Sequence, residues 1–172
     1  MWDIYNEPGN SGHVANTLPL LTKCFEWARA ANPSQPISAG VWNTGNDFSV
    51  LNNLQLSSSD VITFHIYADA ESTKNRIGDF SSYGRPVICT EYMARTIGSK
   101  FQTHIPVFHS ENVGAINWGL VKGKTNTIFP WGSPEGSEEP KIWFHDVFQP
   151  DGTPFDSEET DVIKQYTLGS SQ

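Results

Sequence analysis

The sequence predicts an α/β fold in which parallel strands alternate with helical crossovers. Two observations predict it. Short apolar runs of strand character recur five times, at 1–6, 37–42, 60–67, 86–91 and 113–120, and each is followed by a segment with helical features. Parallel strands cannot be joined by a tight turn, so this alternation argues for a sheet with helical crossovers. A third observation says where a site would lie. Two of the runs stop at a glutamate, "WDIYNE" at Glu7 and "PVICTE" at Glu91. Sites in parallel α/β folds gather where strands end at their C-terminal edge.

The elements follow in order. Met1 to Asn6 reads as a strand. Thr17 is a plausible N-cap for a helix reaching about Ala31, with Leu18, Leu21, Phe25 and Ala28 on one face and Pro19 in the tolerated first turn. "NPSQP" ends it. "ISAGVW" (37–42) is a second strand, and residues 47–54 carry Phe48, Leu51 and Leu54 on a short helix. "DVITFHIY" (60–67) is the clearest strand, rich in β-branched and aromatic residues. Strict alternation puts Ile62, Phe64 and Ile66 on one face and Thr63, His65 and Tyr67 on the other. A weaker helix spans 70–82, a strand 86–91, and a helix 99–111 in which Pro106 predicts a kink or break. "VGAINWGL" (113–120) is the last strand. Residues 121–155 show no period, and Asp156 or Ser157 caps a final helix with Glu158 and Glu159 at its positive end.

Composition excludes several function classes. The 172 residues make room for one domain with a real core. Hydrophobic residues form 37% and charged residues 17%, the balance of a globular chain. The net charge of −8 argues against nucleic acid, whose phosphates need Lys and Arg to replace their counterions. No apolar run approaches the ~20 residues of a membrane span. No signal peptide follows Met1, and export encoded upstream in a longer parent stays open. Cys24 and Cys89 sit in apolar surroundings and read as free thiols. The five His are dispersed, with no metal-ligand spacing, and GxGxxG and P-loop patterns are absent, so no cofactor is expected. Aromatics form 12% of the chain, a supply of flat surfaces.

Glu7 and Glu91 lie three βα units apart along the chain. A flat sheet would separate them widely, whereas a sheet curved into a barrel would face them across its lumen. Here the residues carry a resemblance. "WDIYNEPGN", "ITFHIY", "VICTEY" and "INWGL" resemble, in the correct order, strands four, six, seven and eight of the clan A glycoside hydrolases, and most of all the cellulase-like barrels of family five. The resemblance implies a partial (β/α)8 TIM barrel of five parallel strands, equivalent to strands 4–8, forming a single domain over 1–172. It implies retaining hydrolysis of β-glycosidic bonds in a plant-type polysaccharide or oligosaccharide, with Glu7 as acid/base and Glu91 as nucleophile. Asn6 then matches the residue that binds the sugar 2-hydroxyl, with a strand-end bulge expected to reconcile its facing with that of Glu7. His65 and Tyr67 match positions that contact the sugar and the nucleophile, and Trp118 matches the aromatic floor under the reacting sugar. Trp42 and Trp131 are further candidate platforms, each with core packing as the alternative, and Phe129, Trp143 and His145 read more readily as structural. Arg95 reads as a surface salt-bridge residue rather than one that orients a carboxylate.

The resemblance also defines what five strands lack. A typical barrel has about 250 residues, and strands one to three have no counterpart here, so Met1 reads as an internal methionine turned into a start. Unpaired edges at 1–6 and 113–118 would invite association, either as a homo-oligomer or with a partner supplying the missing strands. Three readings result: a retaining glycosidase, a carbohydrate-binding or assembly half-barrel that is catalytically weak or inactive, and an open-sheet enzyme unrelated to glycosidases.

Overall fold

The computed structural model describes residues 1–167. Strands and helices alternate in the order β1 (Trp2–Asp3), α1 (Val14–Ala30), β2 (Ile37–Ser38), α2 (Ser49–Ser58), β3 (Ile62–His65), α3 (Ala70–Ser81), β4 (Val87–Glu91), α4 (Phe101–Ser110), β5 (Gly114–Ala115) and α5 (Ser157–Thr167). This is the α/β class, with parallel strands and flanking helices. The chain forms two compact units: residues 1–65 with 80–89, and residues 66–79 with 90 onward.

In the first unit β1 runs parallel to β2, with Trp2 opposite Ile37 and Asp3 opposite Ser38. The amides of Trp2 and Ile4 donate to Pro36 and Ser38. A parallel bridge links Val41 to Phe64, so the chain from β2 reaches β3 through a single pair. The predicted six-residue strand at 37–42 is therefore a two-residue strand plus a bridge. β3 is buried at all four positions, and Phe64 packs on Phe80 with ring centroids 5.3 Å apart. The core joins Leu21 and Phe25 of α1, Ile37 of β2, Ala39, Phe48 just before α2, and Leu51 of α2. These are the α1 positions whose spacing predicted a buried face.

Helix α1 starts three residues before Thr17. A 3-10 turn at Asn10–Gly12 feeds it, and the Thr17 amide and hydroxyl both donate to the His13 carbonyl. Thr17 is thus an interior residue, and Pro19 lies beyond the first turn, where it has no N–H to donate to the Ala15 carbonyl. The far end of α2 is closed by Arg85, whose guanidinium donates to the Leu56 and Ser59 carbonyls, a cation set against the negative end of a helix.

In the second unit α4 and α5 pack together. Pro106 sits inside α4 without ending it, because Phe101, His104 and Phe108 bury one face of the helix. β5 is two residues long, and the chain that follows makes irregular pairings instead, Val121 with Phe148 and Phe148 with Pro154. Helix α5 is capped as expected: Asp156 Oδ1 accepts from the Glu158 amide at 2.9 Å.

Arg95 overturns its sequence reading. It is buried, and its guanidinium donates to both oxygens of Glu159 (2.8 and 2.6 Å) and to the carbonyls of Trp143 and Asp146 (2.9 Å each). Glu159 is equally buried, so it serves as the partner of a buried cation more than as a charge at a helix end.

Candidate active site

Glu7 is positioned by a sharp change of chain direction. β1 hydrogen bonding ends with Ile4, and Glu7 then takes a left-handed backbone, φ 45°. Gly9 follows at φ 83°, so close to its neighbours that a Cβ there would lie 2.9 Å from Leu51 Cδ1 and 3.0 Å from Phe48 Cε1. The Asn10 amide donates to the Glu7 carbonyl, and the Trp42 indole N–H donates to the Pro8 carbonyl at 2.9 Å. The expected strand-end bulge is therefore a turn lying beyond β1. A non-glycine residue at positive φ costs about 1–3 kcal/mol and is held only where its surroundings over-determine it.

The Glu7 carboxylate is gripped on both oxygens. Oε1 lies 3.0 Å from His65 Nδ1, and Oε2 accepts from Asn10 Nδ2 at 2.7 Å. The sequence reading did not single out Asn10, although "NEPGN" places it one turn beyond Glu7. His65 is nearly buried and Glu7 only one-fifth exposed at its side chain. Asn6 is exposed. Trp42 is half-buried and meets the edge of Phe48, 5.4 Å between centroids.

Glu91, at the end of β4, belongs to the second unit. It is 8% exposed. Its carbonyl accepts from the Ile66 amide at 2.9 Å, and its Oε2 accepts from the Tyr67 hydroxyl at 2.8 Å. A hydroxyl donor favours the ionised carboxylate. The Tyr67 ring stands perpendicular to Trp131, 4.7 Å between centroids, and Trp131 in turn meets Phe144 edge-on. Trp131 is still 59% exposed and Trp118 47% exposed. The Asn117 amide donates to the Gly119 carbonyl, and Gly119, at φ 87°, leaves no room for a Cβ beside Asp146. The backbone that carries Trp118 is therefore fixed on both sides of the ring.

Two aromatic candidates of the long segment are structural. Trp143 is buried and stacks on Phe155, 4.7 Å apart. His145 is buried, with Nδ1 donating to the Met93 carbonyl at 2.6 Å. Burial pushes its imidazole below the ordinary histidine range, against the pull of that carbonyl and of Asp146.

Comparison with solved structures finds folds of the same kind. An endo-β-1,4-mannanase from Thermotoga petrophila matches with a TM-score of 0.58 at 13% identity, over 93% of this chain and 42% of that one. An exo-β-agarase matches with a TM-score of 0.50 at 14% identity, over 91% of this chain and 24% of that one. The chain thus spans less than half the length of these structures. A search of the curated proteins finds no match. The model of the cellulase family, glycosyl hydrolase family 5, matches residues 1–126. With its motifs in family order and its fold shared with longer glycoside-cleaving proteins, this chain belongs to glycosyl hydrolase family 5.

Proposed function

We propose that the protein is a retaining glycoside hydrolase acting on a plant-type β-linked polysaccharide or its oligosaccharides, with Glu7 as acid/base and Glu91 as nucleophile. The observation that carries this reading is the Tyr67 hydroxyl on the Glu91 carboxylate. Glu91 receives the phenolic O–H of Tyr67, a partner that favours the charged form a nucleophile needs. Glu7 sits against an imidazole and an amide, on a strained backbone that its neighbours enforce. Backbone strain of this kind clusters at active sites.

In the reaction, a Glu91 oxygen attacks the anomeric carbon while Glu7 gives its proton to the departing glycosidic oxygen. A glycosyl ester forms on Glu91. Esterification removes the Glu91 charge, which makes Glu7 more acidic and able to take a proton from the incoming water. Water then cleaves the ester, and both groups return to their starting states. Retaining chemistry calls for carboxylates about 5–5.5 Å apart. Exposed Trp118 and Trp131 suit the apolar C–H faces of pyranose rings.

A second reading is favoured by that same exposure. In it the chain binds carbohydrate as a catalytically weak half-barrel and completes its walls with a second copy or a partner carrying further strands. Open walls leave the reacting groups wet and loosely oriented, which damages catalysis. One experiment separates the two. The full chain is incubated with activated 2-fluoro glycosides of glucose, mannose and xylose, and its intact mass is measured. A covalent glycosyl adduct on Glu91, absent from Glu91→Ala, supports the enzyme. Binding of the sugars without any adduct, and without release of the leaving group, overturns it.

A further inference from the structure

The Tyr67 hydroxyl is held on Glu91 both by the packing of its ring on Trp131 and by the chain that carries it. Tyr67 lies on the irregular stretch between β3 and α3. That stretch is tied at Ile66, whose amide donates to the Glu91 carbonyl, and at Asp69, whose carboxylate accepts from Ser72 and whose carbonyl accepts from the Thr73 amide. Between these ties the Ala68 carbonyl meets His104 of α4, whose Nε2 lies 3.0 Å away. His104 is fully buried. Its ring stacks on Tyr92 at 29°, centroids 5.8 Å apart. One imidazole therefore touches the residue after Tyr67 and the residue after Glu91.

The hydrogen bonds at both ring nitrogens bear on its tautomer. Nε2 faces the Ala68 carbonyl, which only accepts, and Ser99 Oγ at 3.2 Å. The Ser99 hydroxyl proton is committed to the Tyr92 carbonyl, so Ser99 also accepts on the His104 side. A proton on Nε2 serves both of these acceptors. Nδ1 lies 2.8 Å from Thr103 Oγ1 and 3.1 Å from the Lys100 carbonyl. Burial pushes the imidazole below its ordinary range, with the Lys100 and Ala68 carbonyls and the Asp69 charge pulling the other way. With the proton on Nε2, the neutral ring accepts at Nδ1 from the Thr103 hydroxyl, which also lies 3.1 Å from the Lys100 carbonyl. The opposite tautomer would press a nitrogen lone pair against the Ala68 oxygen.

We propose that His104 is a positioning residue that, by donating Nε2–H to the Ala68 carbonyl, holds the Tyr67 hydroxyl on the Glu91 carboxylate. The inference rests on the role proposed for Glu91, and it says how the nucleophile's charge is maintained from outside the site. Without the His104 bond the stretch keeps its ties at Ile66 and Asp69 but loses the one between them. The Tyr67 ring still packs on Trp131, but its hydroxyl is held less closely on the carboxylate, and Glu91 loses part of the donation that favours its ionised form.

The test is a 13C-detected NMR titration of the Glu91 carboxyl in the full chain. It compares the wild type with Tyr67→Phe, His104→Phe, the double variant and His104→Gln. Phe keeps a ring on Tyr92 and removes the donor, while Gln keeps a donor. Tyr67→Phe is expected to raise the Glu91 midpoint by about one pH unit or more, the worth of a hydrogen bond to a charged group. His104→Phe should raise it in the same direction, the double variant no further than Tyr67→Phe alone, and His104→Gln should bring it back toward wild type. A folded His104→Phe protein with an unchanged Glu91 titration overturns the proposal. So does additivity in the double variant. If His104→Phe does not fold, 15N shifts of the wild-type His104 ring decide: a protonated Nε2 supports the bond to Ala68, and an unprotonated Nε2 overturns it. The titration needs no turnover. An inactive protein whose Glu91 responds to His104 overturns the enzyme reading alone, and an active one whose Glu91 ignores His104 overturns this inference alone.

Discussion

Replacing Glu159 by Gln removes one charge from the most enclosed ion pair among the described residues and leaves the side-chain volume almost unchanged. Arg95 and Glu159 side chains are 4% and 3% exposed, and their closest contact is 2.6 Å. Two of the four guanidinium hydrogen bonds go to the Glu159 carboxylate; the others go to Trp143 and Asp146 carbonyls. The Phe155 ring covers the guanidinium at 4.7 Å. The variant keeps a buried cation with the Gln oxygen and the two carbonyls as acceptors, but without the Glu159 charge. Breaking a buried pair from one side costs about 3–5 kcal/mol. The surviving carbonyl acceptors place the expected cost near the lower figure, about 3 kcal/mol, a large share of a domain's total of roughly 5–15 kcal/mol. Urea unfolding of the full chain, followed by tryptophan fluorescence and by circular dichroism, reads it directly. Arg95→Met with Glu159→Leu removes both charges and should recover most of the loss, since the desolvation penalty disappears with them. The reasoning is refuted if Glu159→Gln costs less than about 1 kcal/mol, the range of an exposed pair, or if the double variant is no more stable than the single one.

Three further predictions concern other parts of the chain. Gly9→Ala should lower the melting temperature, by a loss of about 1–3 kcal/mol, because the new Cβ meets Leu51 and Phe48 at a left-handed backbone position. Trp118→Ala should leave the melting temperature almost unchanged, as expected of a half-exposed surface residue, while weakening binding or turnover of β-linked oligosaccharides; unchanged affinity and rate would remove Trp118 from the sugar site. Stability should fall as the pH drops below about 6.5. His104 and His145 both have folded-state values pushed down by burial. Between that lowered value and the unfolded value of about 6.5 the unfolded chain binds more protons, so each contributes a slope of up to ~1.4 kcal/mol per pH unit, stabilising as pH rises. Urea midpoints at pH 7 and pH 5 in wild type and His145→Gln test this, and the variant should show the shallower dependence.

The element order was legible because strand and helix periods are local properties. "DVITFHIY" has β-branched and aromatic residues in a buried strand, and α1 shows its core face through Leu21 and Phe25. Strand lengths were less legible, because a strand exists only where a neighbour pairs with it. Residues 37–42 and 113–120 have strand composition, yet only Ile37–Ser38 and Gly114–Ala115 pair as strands. The start of α1 was missed because Thr17 has the chemistry of a cap, but the His13 carbonyl was free to receive it one turn earlier. Pro106 predicts a kink or break; α4 runs through it, because its buried face outweighs the single lost donor.

The candidate site divides in the same way. Two glutamates closing strand-like runs, and the presence of His65 and Tyr67 near the end of a third, are visible in the residues alone; that Glu7 lies on a turn beyond β1 and Tyr67 beyond β3 is not. By itself the sequence determined the class of fold, the family and the residue types offered for chemistry. Only the tertiary structure decided which groups share a hydrogen bond: Glu7 with Asn10 and His65, Glu91 with Tyr67, Arg95 with Glu159, and His104 with the Ala68 carbonyl. The reason is physical. Hydrogen bonds and buried charges are made between groups distant along the chain, and which of many compatible partners each group meets is settled by the packing of the whole unit around it.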